Sequence, residues 1–84
     1  MKVLVSQQVI TRLRSLHPDQ RKKIRLALDA LGKNRGDRKQ LTGALSDYHR
    51  IRVGRFRVVF RFEDDFIKAI FLEERSIVYE LFRP

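Results

Sequence analysis

Residues 48–62, YHRIRVGRFRVVFRF, constrain the fold most strongly because they have the sequence of a complete β-hairpin. Two runs rich in β-branched and aromatic residues are separated by Gly54 and Arg55, and a glycine in the first central position is typical of a type II′ turn. A two-residue turn at this point fixes the register of both strands. The predicted cross-strand pairs are Val53 with Phe56, Arg52 with Arg57, Ile51 with Val58, Arg50 with Val59 and His49 with Phe60.

Side chains alternate between the two sides of a sheet, so this register predicts two faces of opposite chemistry. The apolar face, which is predicted to pack on the core, comprises His49, Ile51, Val53, Phe56, Val58 and Phe60. The opposite face, called the arginine face below, comprises Tyr48, Arg50, Arg52, Arg57, Val59 and Arg61. A hairpin of this kind needs a helical layer on its apolar side.

The arginine face brings like charges together, because Arg52 is predicted to lie opposite Arg57. Directly opposed like charges destabilise a sheet by up to about 1 kcal/mol. One interpretation is a solvated strand face whose charges prevent edge-to-edge aggregation. The hairpin has five arginines and no acidic residue, which favours the other interpretation, a surface that binds the phosphodiester chain of a nucleic acid.

Composition limits the class of protein. Residues 1–84 are predicted to form one domain with a modest core. The chain has no cysteine, which excludes a disulfide framework and a thiolate metal site. No apolar run approaches the roughly 20 residues of a membrane span, so a cytoplasmic protein without a membrane partner is expected. The net charge of +9 favours nucleic acid, the ribosome or an acidic protein as partner.

The segments before the hairpin predict a strand followed by two helices. Residues 1–5 are β-prone, and Ser6 is predicted to cap a helix that buries Val9. A second helix is predicted to begin at Pro18, because proline is favoured in a first turn, and to end at Gly32. The two helices should cover the apolar side of the sheet.

The remaining segments predict one more strand and leave the end of the chain open. Residues 33–47 are predicted to be a loop, and 66–74 a strand after an acidic turn, whereas 75–84 fit a short strand or a helix. A turn centred on residues 64–65 places Ile67, Ala69 and Phe71 on the apolar face, and Lys68 and Ile70 on the arginine face. The predicted class is α+β: an N-terminal strand and a two-helix hairpin packed on one face of a mainly antiparallel sheet of about four strands.

Conventional catalytic residues are scarce. Only His17 and His49 could titrate near neutrality, and they are predicted to lie in the interhelical turn and on the apolar face. The acidic pairs at 64–65 and 73–74 lack an accompanying histidine cluster, so no zinc site is predicted. The sequence has neither a P-loop nor a GxGxxG motif. No metal and no small-molecule cofactor are expected.

Three segments carry a resemblance that spans essentially the whole chain. They are LTGAL at 41–45, YHRIRVGRFRVVF at 48–60 and ERSIVY at 74–79. In this order they resemble the RelE/ParE superfamily of bacterial and archaeal toxins. That family has the pattern L-x-G-x-L, then Y-R-x-R-x-G-x-Y-R-V-x-Y, an acidic turn, a hydrophobic strand and R-x-x-x-Y. The resemblance implies a RelE-like fold.

The resemblance also implies an activity. RelE-like members cleave messenger RNA in the ribosomal A site without a metal, by attack of a ribose 2′-hydroxyl on the adjacent phosphate. The expected function is therefore the ribosome-dependent endoribonuclease of a type II toxin–antitoxin system, with an acidic antitoxin as protein partner. Two alternatives remain: a ParE-like inhibitor of DNA gyrase, and a non-catalytic member that binds RNA or its antitoxin.

The catalytic residues follow from the same resemblance, whereas the RNA-binding residues are the basic side chains of the hairpin and of the strand at 66–74. The catalytic set is Arg50, Arg52, Arg57, Arg75 and Tyr79. The RNA-binding set is Arg50, Arg52, Arg55, Arg57, Arg61 and Lys68. The arginines of the catalytic set would stabilise the charge of a pentacoordinate phosphorane.

Two departures from the family pattern affect proton transfer. Arg50 and Arg52 stand where the best-known RelE branch has lysines, and a guanidinium with a pKa above about 12 is a poor proton acceptor. Glu73 stands where that branch has arginine, six residues before Tyr79. These departures leave the general base unidentified.

Overall fold

A five-stranded mixed sheet forms the centre of the computed structural model, which describes residues 1–83. The strands are β1 (Lys2–Val5), β2 (Arg38–Gln40), β3 (His49–Val53), β4 (Phe56–Phe62) and β5 (Phe66–Glu74). The helices are α1 (Gln7–Ser15), α2 (Pro18–Gly32) and α3 (Arg75–Leu81). The strand order across the sheet is β1-β5-β4-β3-β2. Among the described strands only the β1–β5 pair is parallel. The α+β prediction is confirmed, with five strands instead of about four.

The hairpin of β3 and β4 has the predicted register. All five predicted pairs are present, from His49 with Phe60 to Val53 with Phe56. Gly54 has a φ of 59°, whereas Arg55 is not among the residues with positive φ. This combination is that of a type II′ turn, in which only the first central residue must be left-handed.

The strand that the sequence did not predict is β2, which lies in the expected loop. Its residues Arg38–Gln40 are all exposed and contain no β-branched or apolar side chain. It is a strand because its backbone pairs with β3, where Lys39 lies opposite Arg50. Such pairing depends on a distant partner and leaves no alternation in the sequence.

The helical layer and the core match the predictions. Ser6 caps α1, since its Oγ accepts a hydrogen bond from the Val9 amide at 3.2 Å. Pro18 opens α2 and Gly32 ends it. At Gly32 a Cβ atom would lie 2.7 Å from the carbonyl oxygen of Met1, so a larger residue would displace β1. The largest fully buried side chains of this core are Phe60, Ile24, Leu31, Ile51, Ile67, Leu72, Val9 and Val58.

A β-bulge changes the second half of β5. The predicted register holds where Phe60 pairs with Ala69, but Val59 pairs with Phe71 because Ile70 is an extra residue. Placing Phe71 on the apolar face is therefore wrong. Leu72 takes the core position instead and is fully buried.

A second, smaller apolar cluster lies on the other side of the sheet. The C-terminal segment is a helix, α3, and it packs against β4 and β5. The rings of Phe71 and Phe82 are 5.4 Å apart, and Val59 and Val78 are buried outside the main core. The arginine face is therefore not uniformly polar, because α3 covers the part that contains Val59.

Side chains of the first helix complete the outer edge of β5. The pairing with β1 ends at Ala69. Beyond it, Gln8 Nε2 donates to the Leu72 carbonyl oxygen at 2.9 Å, and the Leu72 amide donates to Gln8 Oε1 at 2.8 Å. Ser6 Oγ also donates to the Ile70 carbonyl oxygen at 2.8 Å. One glutamine thus occupies the position that a further strand residue would take.

None of the helices within residues 1–83 combines the length and the apolar composition needed to cross a membrane.

His49 makes the stability of the fold dependent on pH. Its ring stacks on Phe60 with centroids 5.5 Å apart, and its Nδ1 is buried without a hydrogen-bond partner among the described residues. Burial, and then the charge of Arg38, lower the pKa of His49 below 6.5. The unfolded chain therefore binds more protons than the folded one below pH 6.5, so the stability present above that value is lost on acidification.

We expect the free energy of unfolding to fall as the pH is lowered from about 6.5 towards the pKa of folded His49. Urea unfolding at a series of pH values measures this. The His49→Phe variant should lose most of the dependence, whereas His17→Asn, at an exposed position, should retain it. An unchanged pH dependence in His49→Phe would show that another group is responsible.

Candidate functional site

A cavity of about 580 Å³ lies between α3 and the exposed side of β2, β3 and β4. Arginines of β3 and β4 form its floor, β2 and the following loop form one side, and α3 forms the other. The lining residues are Lys39, Gln40, Leu41, Thr42, Arg50, Arg52, Arg57, Arg75, Val78, Tyr79, Phe82 and Arg83. Within residues 1–83, the side chains that line the cavity include six cationic groups and no carboxylate or imidazole.

The cavity brings together the whole predicted catalytic set, which comprises Arg50, Arg52, Arg57, Arg75 and Tyr79. Three residues of the predicted RNA-binding set do not line it. Arg55 lies at the hairpin turn with its Nε 3.7 Å from Glu74, and Arg61 forms an ion pair with Glu63 at 2.6 Å. Lys68 is half-buried in β5 beside β1. A role in RNA binding stays a prediction for these three.

Arg57 is buried, although the hairpin register alone suggests an exposed charge. It is 7% exposed, and its Nη1 donates to the carbonyl oxygens of Gly54 and Phe56, each at 2.8 Å. These bonds anchor the guanidinium to the backbone of the turn. A guanidinium held in this way loses little side-chain entropy when it binds an anion through its other N–H groups.

Neighbouring positive charges repel the guanidinium of Arg57. Its pKa is lowered first by burial and then by the positive charges of Arg50, Arg52 and Arg75. The charge of Asp37 acts in the opposite direction. The site therefore favours a ligand that carries negative charge, because such a ligand relieves the repulsion.

Arg50 has a buried donor that is suited to an anion. Its Nη1 is buried and has no hydrogen-bond partner within residues 1–83. A buried N–H group without a partner costs free energy. An oxygen of a bound phosphate would supply the acceptor.

Several lining residues were not predicted. Lys39 and Gln40 belong to β2, and Leu41 and Thr42 follow it in the loop. The LTGAL motif marks this segment as part of the family pattern, and its position directly before the hairpin could have indicated the neighbouring strand. Val78 lies on α3, and Phe82 and Arg83 follow that helix directly at the side of the cavity.

Glu73 does not line the cavity. Although it pairs with Arg57 in the strand register, its Oε1 lies 2.9 Å from Arg12 Nε of α1. The two side chains are 18% and 26% exposed, so the pair is partly desolvated. Glu73, which stands where the best-known RelE branch has arginine, thus connects α1 to β5.

We expect Glu73→Arg to lower the free energy of unfolding by about 1–3 kcal/mol, because it leaves Arg12 without its partner and adds a like charge. Glu74→Arg is the matched control, since Glu74 faces the exposed Arg55 at 3.7 Å and should cost less than about 1 kcal/mol. Urea unfolding of both variants measures the difference. Equal stabilities would show that the Arg12–Glu73 pair contributes nothing.

The site has the chemistry of a phosphodiester-binding surface. Guanidinium groups bind phosphate oxygens through paired N–H donors. Tyr79 is 65% exposed at the side of the cavity, where its ring is available to stack on an unpaired base. Within residues 1–83, no three acidic or histidine side chains are grouped so that they could hold a metal ion.

Comparison with known proteins identifies the fold. No protein-family model matches the chain, and no curated protein matches it significantly. A chain of the RelB–RelE antitoxin–toxin complex from Methanococcus jannaschii superposes with a TM-score of 0.75 at 24% identity, over 94% of this chain and 98% of that chain. The RelE–RelB complex from Pyrococcus horikoshii gives a TM-score of 0.70 at 26% identity, over 89% and 94%.

A third solved structure extends the likeness to another named toxin. The YoeB–YefM complex from Staphylococcus aureus gives a TM-score of 0.72 at 20% identity, over 89% of this chain and 97% of that chain. The matched chains are covered almost completely in all three comparisons, so the similarity is not confined to the hairpin. The protein therefore has the fold of the RelE-like toxins, as the three sequence segments predict.

Proposed function

We propose that this protein is the toxin of a type II toxin–antitoxin pair and acts as a ribosome-dependent messenger RNA endoribonuclease. One observation carries the proposal: a single cavity is lined by every residue that the family resemblance assigns to catalysis, namely Arg50, Arg52, Arg57, Arg75 and Tyr79. The RelE-like fold supports it independently.

The arrangement suits cleavage by a ribose 2′-hydroxyl. In this reaction the 2′-oxygen attacks the adjacent phosphorus, the bond from phosphorus to the 5′-oxygen breaks, and negative charge accumulates on the nonbridging oxygens. Arg57 is fixed by the turn carbonyls, and Arg50 has a buried N–H without a partner among the described residues, so both are prepared to bind those oxygens. Donors that need no rearrangement stabilise developing charge most effectively.

The reaction also requires a particular RNA conformation. The cavity is open to solvent, and binding through phosphates alone does not fix a flexible single strand in the geometry for in-line attack. In the proposal the ribosome supplies this geometry. Free RNA should be bound through its phosphates but cleaved slowly.

The protein partner in this proposal is an acidic antitoxin. The solved neighbours are complexes of RelE with RelB and of YoeB with YefM. The net charge of +9 and the cluster of arginines favour a partner segment rich in Asp and Glu that covers the cavity. Such a segment would neutralise the repulsion described above.

Primer extension on a translated message after brief expression tests the function. Cuts within translated codons are expected for the native protein and for Arg14→Ala, an exposed arginine on α1. Arg52→Ala, which removes an exposed arginine from the cavity, should strongly reduce them. A DNA-damage response without cuts would indicate a gyrase inhibitor, and neither response would indicate a binding protein without catalytic activity.

A further inference from the structure

Lys39 is the only amine that lines the cavity within the described residues. It lies on β2 opposite Arg50, and paired residues of adjacent strands project from the same side of a sheet. The other cations around the cavity are arginines, and the remaining titratable side chain is the phenol of Tyr79. The described lining residues include no histidine and no carboxylate.

Proton transfer is the step that the arginines leave unexplained. Attack by a 2′-hydroxyl requires an acceptor for its proton, and the departing 5′-oxygen requires a donor. A guanidinium stays protonated throughout and can serve as neither an acceptor nor a reversible donor. A lysine can lose its proton and act as a base, as catalytic lysines do.

Lys39 and Tyr79 belong to elements on opposite sides of the cavity. Lys39 belongs to β2 at one side of the cavity, and Tyr79 belongs to α3 at the other. The arginines of β3 and β4 lie between these two sides. A phosphate bound on the arginine floor would therefore have the amine on one side and the phenol on the other.

We propose that Lys39 is the general base of this site and that Tyr79 is the general acid. The neutral amine of Lys39 takes the proton of the 2′-hydroxyl as the bond between the 2′-oxygen and phosphorus forms. The bond from phosphorus to the 5′-oxygen breaks, and the phenol of Tyr79 gives its proton to that oxygen. The products are a 2′,3′-cyclic phosphate and a free 5′-hydroxyl. Proton exchange with water then restores the amine and the phenol.

This assignment rests on the proposed endoribonuclease function and adds a residue to it. The two cavity residues of β3, Arg50 and Arg52, supply guanidinium groups only. The neighbouring strand β2 supplies the amine, because Lys39 lies opposite Arg50 in the strand pairing.

The decisive variant is Lys39→Arg, which keeps the positive charge and removes the titratable amine. Lys39 is exposed on an edge strand, so the substitution should leave the fold intact. The single-turnover rate on ribosome-bound message should fall by about 10²–10⁴, while affinity for a fluorescent single-stranded RNA stays unchanged.

The native rate should rise with pH over the range 6 to 9 by up to about tenfold per unit, and that rise should disappear in the variant. Lys22→Arg, exposed on α2, is the control and should behave as the native protein.

Three outcomes would overturn the assignment. Native-like cleavage by Lys39→Arg would show that only charge is needed, and parallel loss of binding and cleavage would make Lys39 a phosphate ligand. A native pH profile in a slowed variant would also exclude it as the base. Failure of the native protein to cleave would instead refute the proposed function itself.

The absence of cysteine allows a chemical rescue. Lys39→Cys creates a single thiol, and aminoethylation of that thiol rebuilds a side chain of the length of lysine with a less basic amine. Cleavage should return on aminoethylation, with its pH profile displaced to lower pH. Rescue without displacement, or no rescue in a folded protein, would count against Lys39 as the base.

Discussion

Arg57→Ala is expected to lower the rate of RNA cleavage by about 10²–10³, the usual effect of losing one donor to transition-state charge. It should also lower the free energy of unfolding by about 1–3 kcal/mol, because the carbonyl oxygens of Gly54 and Phe56 lose their buried donor. Both effects come from one guanidinium that supports the turn and faces the cavity.

Two control variants separate these roles. Arg57→Lys keeps a charged donor within reach of the turn, so most of the stability should remain while cleavage still falls. Arg52→Ala should lower cleavage without loss of stability, since Arg52 is exposed and its removal relieves repulsion with Arg57. Single-turnover rates and urea unfolding measured on the same preparations test this. Full cleavage by a folded Arg57→Ala protein would exclude Arg57 from the reaction.

Phe60→Ala is expected to have the largest effect on stability. Phe60 is fully buried in the main core, where truncation of a phenylalanine costs about 3–5 kcal/mol. Since a domain of this kind has a total stability of about 5–15 kcal/mol, this change should remove a large fraction of it. Urea unfolding gives the loss directly.

Val59→Ala is the matched variant on the opposite side of β4. Val59 is also fully buried, but it lies in the small cluster beneath α3, so the loss should be about 2 kcal/mol. Hydrogen exchange should accelerate in α3 while α1 stays protected, and cleavage should fall because α3 carries Arg75 and Tyr79. Equal loss of protection in α1 and α3 would show that the two clusters unfold as one.

The local parts of the fold were predictable from the sequence. The turn at Gly54 and Arg55 sets the hairpin register through backbone chemistry alone, and the structure has every predicted pair. Ser6, Pro18 and Gly32 likewise mark helix ends through their own conformational preferences. The catalytic set was predicted from the family resemblance, because the hairpin register gives no information about Arg75 and Tyr79 of α3.

The features that were missed depend on distant contacts. The bulge at Ile70 moves Phe71 to the side of α3, and only the packing of Phe82 against it shows why that position is apolar. Arg57 is buried against the carbonyl oxygens of Gly54 and Phe56 and lines the cavity, which alternation within the hairpin does not reveal. Lys39 was not predicted as a site residue because β2 has no strand periodicity in its sequence. It is a strand only through its pairing with β3.

The glutamine bridge at the outer edge of β5 has a consequence for the order of folding. Gln8 and Leu72 are 64 positions apart, whereas β3, β4 and β5 are joined by short turns. Closing so long a loop is slow, so the three-stranded meander should form before β1 and α1 dock on it. Until then the edge of β5 is open to pairing with another chain, which makes this intermediate the species most prone to aggregate. Pulse-labelled hydrogen exchange should protect β4 before β1, and simultaneous protection would contradict this order.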